Sequence, residues 1–211
     1  MGCEAIDIQT QRGWDSLIPF VQPACLGVPA DLIVHNLRLS AIEFTVWTGW
    51  FTQRYLIDLQ ANVGEYPIDV YDCMRFIALK KVCYKQQIRY CPAYEPRCCE
   101  VNGNSFWYQD GQIHVRPLPA YDEAEALEVE IVVSLTQDSC YLPESLYADW
   151  AETIAAGAIA RCLKIPGQPF TDVAGSVLYD REFTRGKVRA KQQVERSRIR
   201  GPIKMAARRF V

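Results

Sequence analysis

Cysteine is the residue type with the greatest chemical potential in this chain, and three of its nine cysteines, Cys91, Cys98 and Cys99, lie close together. Structural zinc sites pair their ligands two to four residues apart, and they do so twice. No second pair follows these cysteines, and neither His35 nor His114 is near enough in sequence to complete a ligand set. The sequence therefore predicts no metal site. An odd number of irregularly spaced cysteines also argues against a disulfide framework, so free thiols are expected.

The sequence also contains few motifs that are typical of a catalytic site. The chain has no glycine-rich phosphate loop, no nucleophile elbow and no zinc-protease motif. With only two histidines, a nucleophile–histidine pair has to use His35, which lies in a predicted helix, or His114, which lies within a predicted strand. Structural or surface positions suit both better. The sequence predicts a protein that is not an enzyme, with no catalytic residue and no cofactor.

Charge is distributed very unevenly along the chain. Residues 181–211 contain eleven Lys or Arg and two acidic residues, a net charge of +9, so that residues 1–180 carry −11 of the total of −2. Blocks of opposite charge on one chain are typical of an interaction arm. The basic block begins in a predicted helix, which Gly201 and Pro202 end.

The segment after that helix, residues 201–211, mixes apolar and basic side chains without helical or strand periodicity. We expect it to be extended and to become ordered against a partner. The predicted partner-binding residues are Arg196, Arg198, Arg200, Ile203, Lys204, Met205, Arg208, Arg209 and Phe210. An alternative is a basic-armed nucleic-acid-binding protein of a cytoplasmic complex, in which the Lys and Arg side chains contact phosphates. The acidic body disfavours it, as do the apolar residues of the segment, which suit a protein pocket.

Three helices are predicted to position this arm. The first spans about residues 29–48 and has an apolar stripe of Ile33, Leu37, Ala41 and Phe44. Trp47, Trp50 and Phe51 cluster at its end, where they are expected to pack in the core. The second helix begins near Leu142 and stops before Pro166. A patch of small residues at 155–160 in the second suits close helix packing within or between subunits. The third begins near Thr171, which is predicted to cap it, and its valines at positions 173, 177, 188 and 194 are predicted to share one side.

Between the first two helices the apolar period changes to two, which indicates β-strands. Alternation is clearest at residues 52–59, 74–84 and 127–135. Asp110-Gly111 separates two alternating runs and suits a two-residue type I′ hairpin turn. Trp107 and Tyr108 are expected near the exposed hairpin tip, either as a contact surface or packed on a neighbouring strand.

The order of these elements predicts an α+β fold, a helical bundle with an inserted antiparallel β-sheet region and an extended C-terminal arm. The predicted parts are an N-terminal helical part at 1–50, the β region at 51–137, C-terminal helices at 138–200 and the arm at 201–211. No secretion signal and no membrane-spanning run are expected.

The layout resembles the head-to-tail connector (adaptor) proteins of tailed bacteriophages. The resemblance rests on short motifs spread over nearly the whole chain. They are Trp14-Asp-Ser-Leu-Ile-Pro19 with Gly27-Val-Pro29, Leu37-Arg-Leu-Ser-Ala-Ile-Glu-Phe44 leading into Trp47 and Trp50, the turn at 60–66, Leu178-Tyr-Asp-Arg-Glu-Phe183, Gly186, Ala190-Lys191 and Arg208-Arg-Phe210. The abundance of cysteine departs from the family pattern.

This resemblance implies a structural virion protein without enzymatic activity. It implies a homo-oligomeric ring, commonly of twelve subunits, that binds the portal protein through the C-terminal arm and a tail or nozzle protein on the opposite face. DNA would pass through the channel of the ring without sequence-specific binding. The expected location is the neck of the virion, after assembly in the cytoplasm of the bacterial host.

Overall fold

The computed structural model describes residues 11–85, 87–91, 98–101 and 103–198. A short 3₁₀ helix at Trp14–Leu17 and four α-helices lie in these ranges: α1 (Ile18–Val21), α2 (Ala30–Thr48), α3 (Glu144–Leu163) and α4 (Val173–Arg198). The ten strands of these ranges are β1 (Gln11–Gly13), β2 (Phe51–Leu59), β3 (Glu65–Pro67), β4 (Met74–Tyr84), β5 (Gln87–Tyr90), β6 (Cys98–Val101), β7 (Asn104–Gln109), β8 (Gln112–Arg116), β9 (Glu123–Leu135) and β10 (Tyr141–Pro143).

Helix α2 confirms the predicted 29–48 helix. Pro29 precedes its first turn, where its fixed φ suits the entry into a helix, and Gly49 ends it in the left-handed conformation with φ 63°. The Gly49 N–H donates to the Thr45 carbonyl at 3.0 Å. The predicted apolar stripe of α2 is fully buried; it consists of Ile33, Leu37, Ala41 and Phe44.

The strands form three antiparallel sheets. A four-stranded sheet has the order β2-β9-β4-β5 and is called here the β9 sheet; another has the order β3-β8-β7-β6 and is called the β8 sheet. The third sheet contains only β1 and β10, with Gln11 opposite Pro143. Strands β2 to β9 together are called the β part.

Strand β9 connects the β part to the helices. Its odd-numbered residues from Leu127 to Leu135 are all buried, as the predicted alternation requires. On the other face Glu128 and Glu130 pair with lysines, whereas Val132 and Ser134 are buried. Helix α2 covers this second half, since Ser134 Oγ lies 2.8 Å from the Thr45 hydroxyl. The C-terminal half of β9 is therefore buried on both faces.

The predicted Asp110-Gly111 hairpin is confirmed. Asp110 (φ 52°) and Gly111 (φ 81°) both have the positive φ of a type I′ turn. Trp107 and Tyr108 near the tip were expected either to form a contact surface or to pack on a neighbouring strand, and the structure supports packing. Tyr108 stacks on Phe76 of β4 with ring centroids 3.6 Å apart, and so joins the two four-stranded sheets.

Helices α2, α3 and α4 pack together and are called the helical layer. Helix α4 runs antiparallel to α3, because Lys164 pairs with Asp180 while Gly157 lies against Phe183 further back along α3. All residues of the predicted small patch at 155–160 are buried within this layer. The patch therefore serves close packing inside the subunit.

The predicted fold class, a helical bundle with an inserted sheet, is wrong. The molecule is mainly β with a helical part, and strands in three antiparallel sheets account for 34% of the described residues. The reason is that the β part has its own core of two packed sheets, to which aliphatic side chains of β9 and aromatic side chains of β4 and β7 contribute. The helices cover one end of this core.

Candidate functional site

Helix α4 carries the described part of the basic block, and its N-terminus is fixed by Asp172. The Asp172 carboxylate accepts a hydrogen bond from the Gly175 N–H at 2.9 Å, and its own N–H donates to the Leu163 carbonyl at 3.1 Å. The prediction that Thr171 caps the helix is wrong. Its hydroxyl donates to the Ile165 carbonyl at 2.5 Å instead, within the α3–α4 loop. Two consecutive residues thus fix the loop and the start of α4 separately.

The inner face of α4 holds the helix against the rest of the layer. Its buried residues are Ser176, Phe183, Gly186, Lys187, Ala190 and Val194. The prediction that the valines at 173, 177, 188 and 194 share one side is therefore wrong for the last of them. Val194 is buried, and the first three are exposed. The buried face is mostly small or polar, and hydrophobic periodicity alone does not identify such a face.

Glycine permits the close approach of α4 to its neighbours. A Cβ added at Gly157 of α3 would lie 3.0 Å from the Phe183 ring and from Ser40 Cβ of α2. A Cβ at Gly186 would overlap the side chain of Thr153. The Phe183 ring therefore occupies a space that only a glycine at position 157 leaves open.

An ion cluster around the buried Lys187 joins the three helices of the layer. Lys187 of α4 is only 9% exposed, and its Nζ donates to Glu43 Oε1. Arg161 of α3 donates to the other oxygen of the same carboxylate at 2.5 Å. Burial disfavours the charged form of Glu43, but the hydrogen bonds and charges of Lys187 and Arg161 outweigh it and hold the pKa of Glu43 below its ordinary value.

Aromatic rings complete the surroundings of this cluster. Lys187 Nζ lies 4.4 Å from the centroid of Phe183, and Lys191 Nζ lies 4.8 Å from that of Trp47. Trp47 was expected to be part of the core, together with Trp50 and Phe51. Phe51 is buried and Trp50 packs edge-on against Trp150, but Trp47 is 41% exposed.

The outer face of α4 is exposed, apolar and basic. Four aliphatic side chains stand in solvent: Val173 (66% exposed), Val177 (43%), Leu178 (60%) and Val188 (40%). Arg181, Arg185 and Arg189 are exposed among them. Within the described residues none of these three arginines forms an ion pair. We call this set of seven residues the outer face of α4.

Most of the predicted partner-binding residues lie beyond the part of the chain that the structure describes. Arg196 is exposed near the end of α4, and Arg198 is the last residue of that helix. The remaining predicted residues, Arg200, Ile203, Lys204, Met205, Arg208, Arg209 and Phe210, fall outside the described residues, as does the predicted arm at 201–211. The prediction for these positions stays a prediction.

Sequence reasoning missed the cluster of Glu43, Arg161 and Lys187. These residues belong to three different helices, and Glu43 lies more than a hundred positions before the other two, so no local spacing brings them together. The sequence of α4 nevertheless contained one indication that Lys187 lies on the buried face. Lys187 lies four residues after Phe183 and so shares its helical face.

The cysteines are free thiols throughout the described residues. Cys98 and Cys99 are neighbours on β6, and only Cys99 is fully buried. A hydrogen bond from the Cys91 thiol to Cys99, together with burial, raises the pKa of Cys91. The same hydrogen bond lowers the pKa of Cys99, against the opposing effect of burial. No group of three or more Cys, His, Asp or Glu side chains in the described ranges is arranged to hold a metal ion.

A cavity of about 300 Å³ lies on the β part, away from α4. Tyr84, Leu118 and Tyr121 line it, together with Lys85, whose Nζ lies 3.1 Å from Glu123 Oε1. Hydrogen bonds to Tyr84, Glu123 and Tyr121 raise the pKa of Lys85, so this amine stays protonated. A protonated lysine paired with a carboxylate is a poor nucleophile and a poor base.

No family model matches the chain, and no curated protein is similar to it. None of the helices in the described ranges is both long and apolar enough to cross a bilayer.

Proposed function

We propose that this protein is a structural virion protein, a head-to-tail adaptor that forms a ring under the portal and continues the DNA channel into the tail. The observation that carries the proposal is α4, a 26-residue helix that is anchored along its inner face and bears the basic block. The resemblance of the short sequence motifs to bacteriophage connector proteins supports it, as does the contrast between a basic end and an acidic body.

Helix α4 is suited to hold the start of the arm in a fixed position on the subunit. Its 26 residues extend about 39 Å, and Phe183 and the ion cluster fix it to α2 and α3. In the proposal, residues 201–211 continue from the C-terminal end of α4 to the portal protein. Ile203, Met205 and Phe210 anchor the arm in a pocket of the portal, while Lys204, Arg208 and Arg209 steer it toward acidic groups.

The remaining contacts follow from a ring placed between head and tail. A tail or nozzle protein binds the opposite face, copies of the chain contact one another around the ring, and twelve is the subunit number that the resemblance favours. DNA passes through without sequence-specific binding. The protein is assembled in the cytoplasm of the bacterial host and functions in the neck of the virion.

Deletion of residues 201–211 tests the docking role. We expect the shortened chain to keep its far-UV circular dichroism and thermal transition but to lose cosedimentation with portal-containing capsids. Phe210→Ala is the finer variant, because burying a phenylalanine contributes roughly 1.5 to 3 kcal/mol per copy, and Val211→Ala is its matched control. Normal capsid binding by the shortened chain would contradict the proposed docking.

The second candidate, a basic-armed nucleic-acid-binding protein, is favoured by one observation. Helix α4 alone contains seven Lys or Arg and three acidic residues. Binding of the full chain to duplex DNA, measured at low and at moderate salt, separates the two functions. Tight binding that falls steeply with salt supports nucleic-acid recognition, and weak binding at both salt concentrations supports the adaptor.

A further inference from the structure

The side chains of the outer face of α4 are those of a docking surface rather than those of an ordinary solvent-exposed helix face. Val177, Arg181, Arg185 and Val188 follow one another at intervals of three or four residues and so form one line along the helix. The distance from Val177 to Val188 is about 16 Å at the rise of an α-helix. Exposed aliphatic side chains along such a line indicate a surface that another protein covers.

The composition of this face favours a protein over nucleic acid. A phosphate backbone offers nothing to Val177, Leu178 and Val188, which are all at least 40% exposed. Glu182 also lies on the exposed part of α4, next to Arg181, and would repel phosphates. A partner with both small apolar side chains and carboxylates matches the face better.

The chain itself has such a surface on α3. Ser145, Ala148, Asp149 and Glu152 are all exposed and occupy positions i, i+3, i+4 and i+7, so they form one strip of the helix. Two of them are small, which allows another helix to come close. Within the described residues, neither Asp149 nor Glu152 forms an ion pair.

We propose that the outer face of α4 binds this α3 strip of a second copy of the chain, and that this is the subunit contact of the ring. The inference rests on the proposed function and names its self-contact. Arg181 and Arg185 are one helical turn apart, as are Asp149 and Glu152, so two guanidinium groups meet two carboxylates at matching spacing. The acidic body and the basic C-terminal block provide the longer-range attraction.

The two surfaces are different patches of one chain, and this has a geometric consequence. Each subunit offers its α4 face to one neighbour and its α3 strip to the other, which is a heterologous, head-to-tail contact. Such contacts close into a ring when the rotation between subunits allows it. An isologous contact would instead stop at a dimer.

Charge exchange between the two surfaces tests the contact. We expect the full-length wild-type chain to associate at rising concentration in sedimentation velocity at low salt. The R181E/R185E variant and the D149R/E152R variant should each associate roughly 100-fold more weakly, because like charges then face each other. An equimolar mixture of the two should recover association, since each α4 face then finds a strip of opposite charge.

The matched control for R181E/R185E is R75E/R89E. It makes the same change in net charge as R181E/R185E, at two exposed arginines of the β part, and it should associate like the wild type. Far-UV circular dichroism checks that every variant is folded. In an otherwise unchanged chain, a photo-crosslinking residue at position 188 provides a second measurement. Crosslinks to residues 145–152 of another copy are expected.

Several results would overturn the contact. They are a wild type that remains monomeric, variants that associate normally, a mixture that fails to recover, and crosslinks that form only elsewhere. Loss of duplex-DNA binding in R181E/R185E, with no change in particle mass, would assign the face to nucleic acid. Capsid docking of the wild type is measured separately. If docking is intact while the charge exchange fails, the adaptor proposal stands and only this contact is wrong.

Discussion

The β part and the helical layer are stabilised in different ways. The β part buries aliphatic and aromatic side chains between two sheets, and its partly buried ion pairs, Lys80–Glu130 and Lys81–Glu128, join neighbouring strands of one sheet. The helical layer places an ion cluster between its helices and relies on glycine for their close approach. It also leaves four large aliphatic side chains of α4 exposed.

The two parts also differ in where their exposed apolar side chains lie. Strand β9 buries its five odd-numbered residues from Leu127 to Leu135, and the exposed Leu56 and Ile88 of the β part lie on two different strands. The buried face of α4 includes Phe183, Lys187 and Val194, whereas its exposed Val173, Val177, Leu178 and Val188 lie together on one helix. We therefore expect changes in the β part to alter stability alone, and changes on α4 to separate stability from association.

Removal of the Phe183 ring should have the largest effect. The ring is buried against Gly157, with Lys187 Nζ over its face, so Phe183→Ala should lower the free energy of unfolding by roughly 3 to 5 kcal/mol. Leu178→Ala on the exposed side of the same helix is the control and should change it by less than about 0.5 kcal/mol. Both are measured by urea unfolding. Equal effects of the two substitutions would mean that α4 is not held by its inner face.

Gly111→Val should have an intermediate effect, confined to the β part. A Cβ at this position meets no atom, but φ is 81°, a conformation that a β-branched residue resists. We expect a loss of roughly 1 to 3 kcal/mol in the free energy of unfolding, with self-association unchanged. Gln109→Val, just before the turn, is the matched control. A hairpin that tolerates valine at 111 without loss would contradict the type I′ turn.

Glu43→Gln should have the smallest effect and the clearest pH dependence. Because the folded-state pKa of Glu43 is lowered, its carboxylate stabilises the fold above the unfolded pKa of about 4.3, and this contribution is lost as pH falls through the folded pKa. Since Glu43 is 40% exposed, solvent screening limits the loss in Glu43→Gln to about 1 to 2 kcal/mol at pH 7.

The measurement for Glu43→Gln is urea unfolding from pH 7 down to pH 3. The gap between variant and wild type should narrow as the pH falls below about 4.3. Glu182→Gln, which removes an exposed carboxylate of α4, is the control and should give a small gap at every pH. A gap that does not change with pH would show that the charge of Glu43 is not what joins the helices.

Elements with a strong local pattern could be predicted from the sequence. The stripe from Ile33 to Phe44, the alternation in β9 and the Asp110-Gly111 turn each express their structure within a short window. The β8 sheet could not be predicted as a whole, because β3 and β6 have only three and four residues and show too little alternation. Its strands are specified by pairing with distant partners, and the β content was therefore underestimated.

The candidate site was harder to predict for a different physical reason. A lysine is normally placed at the surface, and Lys187 can be buried because the carboxylate of Glu43, far away in sequence, offsets the cost of burying its charge. Valine is normally placed inside, and Val177 and Val188 are exposed because the subunit does not cover them. The hydrophobic pattern of one chain does not predict an apolar face that is covered by another molecule.

The small β1–β10 sheet has a mechanical consequence. It places Gln11 beside Pro143, at the start of α3, and the antiparallel course of α4 brings Arg198 back toward the same end of the helical layer. A force applied between residues 11 and 198 would therefore load β1 and the end of α4 first and peel them away one hydrogen bond or turn at a time. The β part would bear none of that tension until the helical layer had opened.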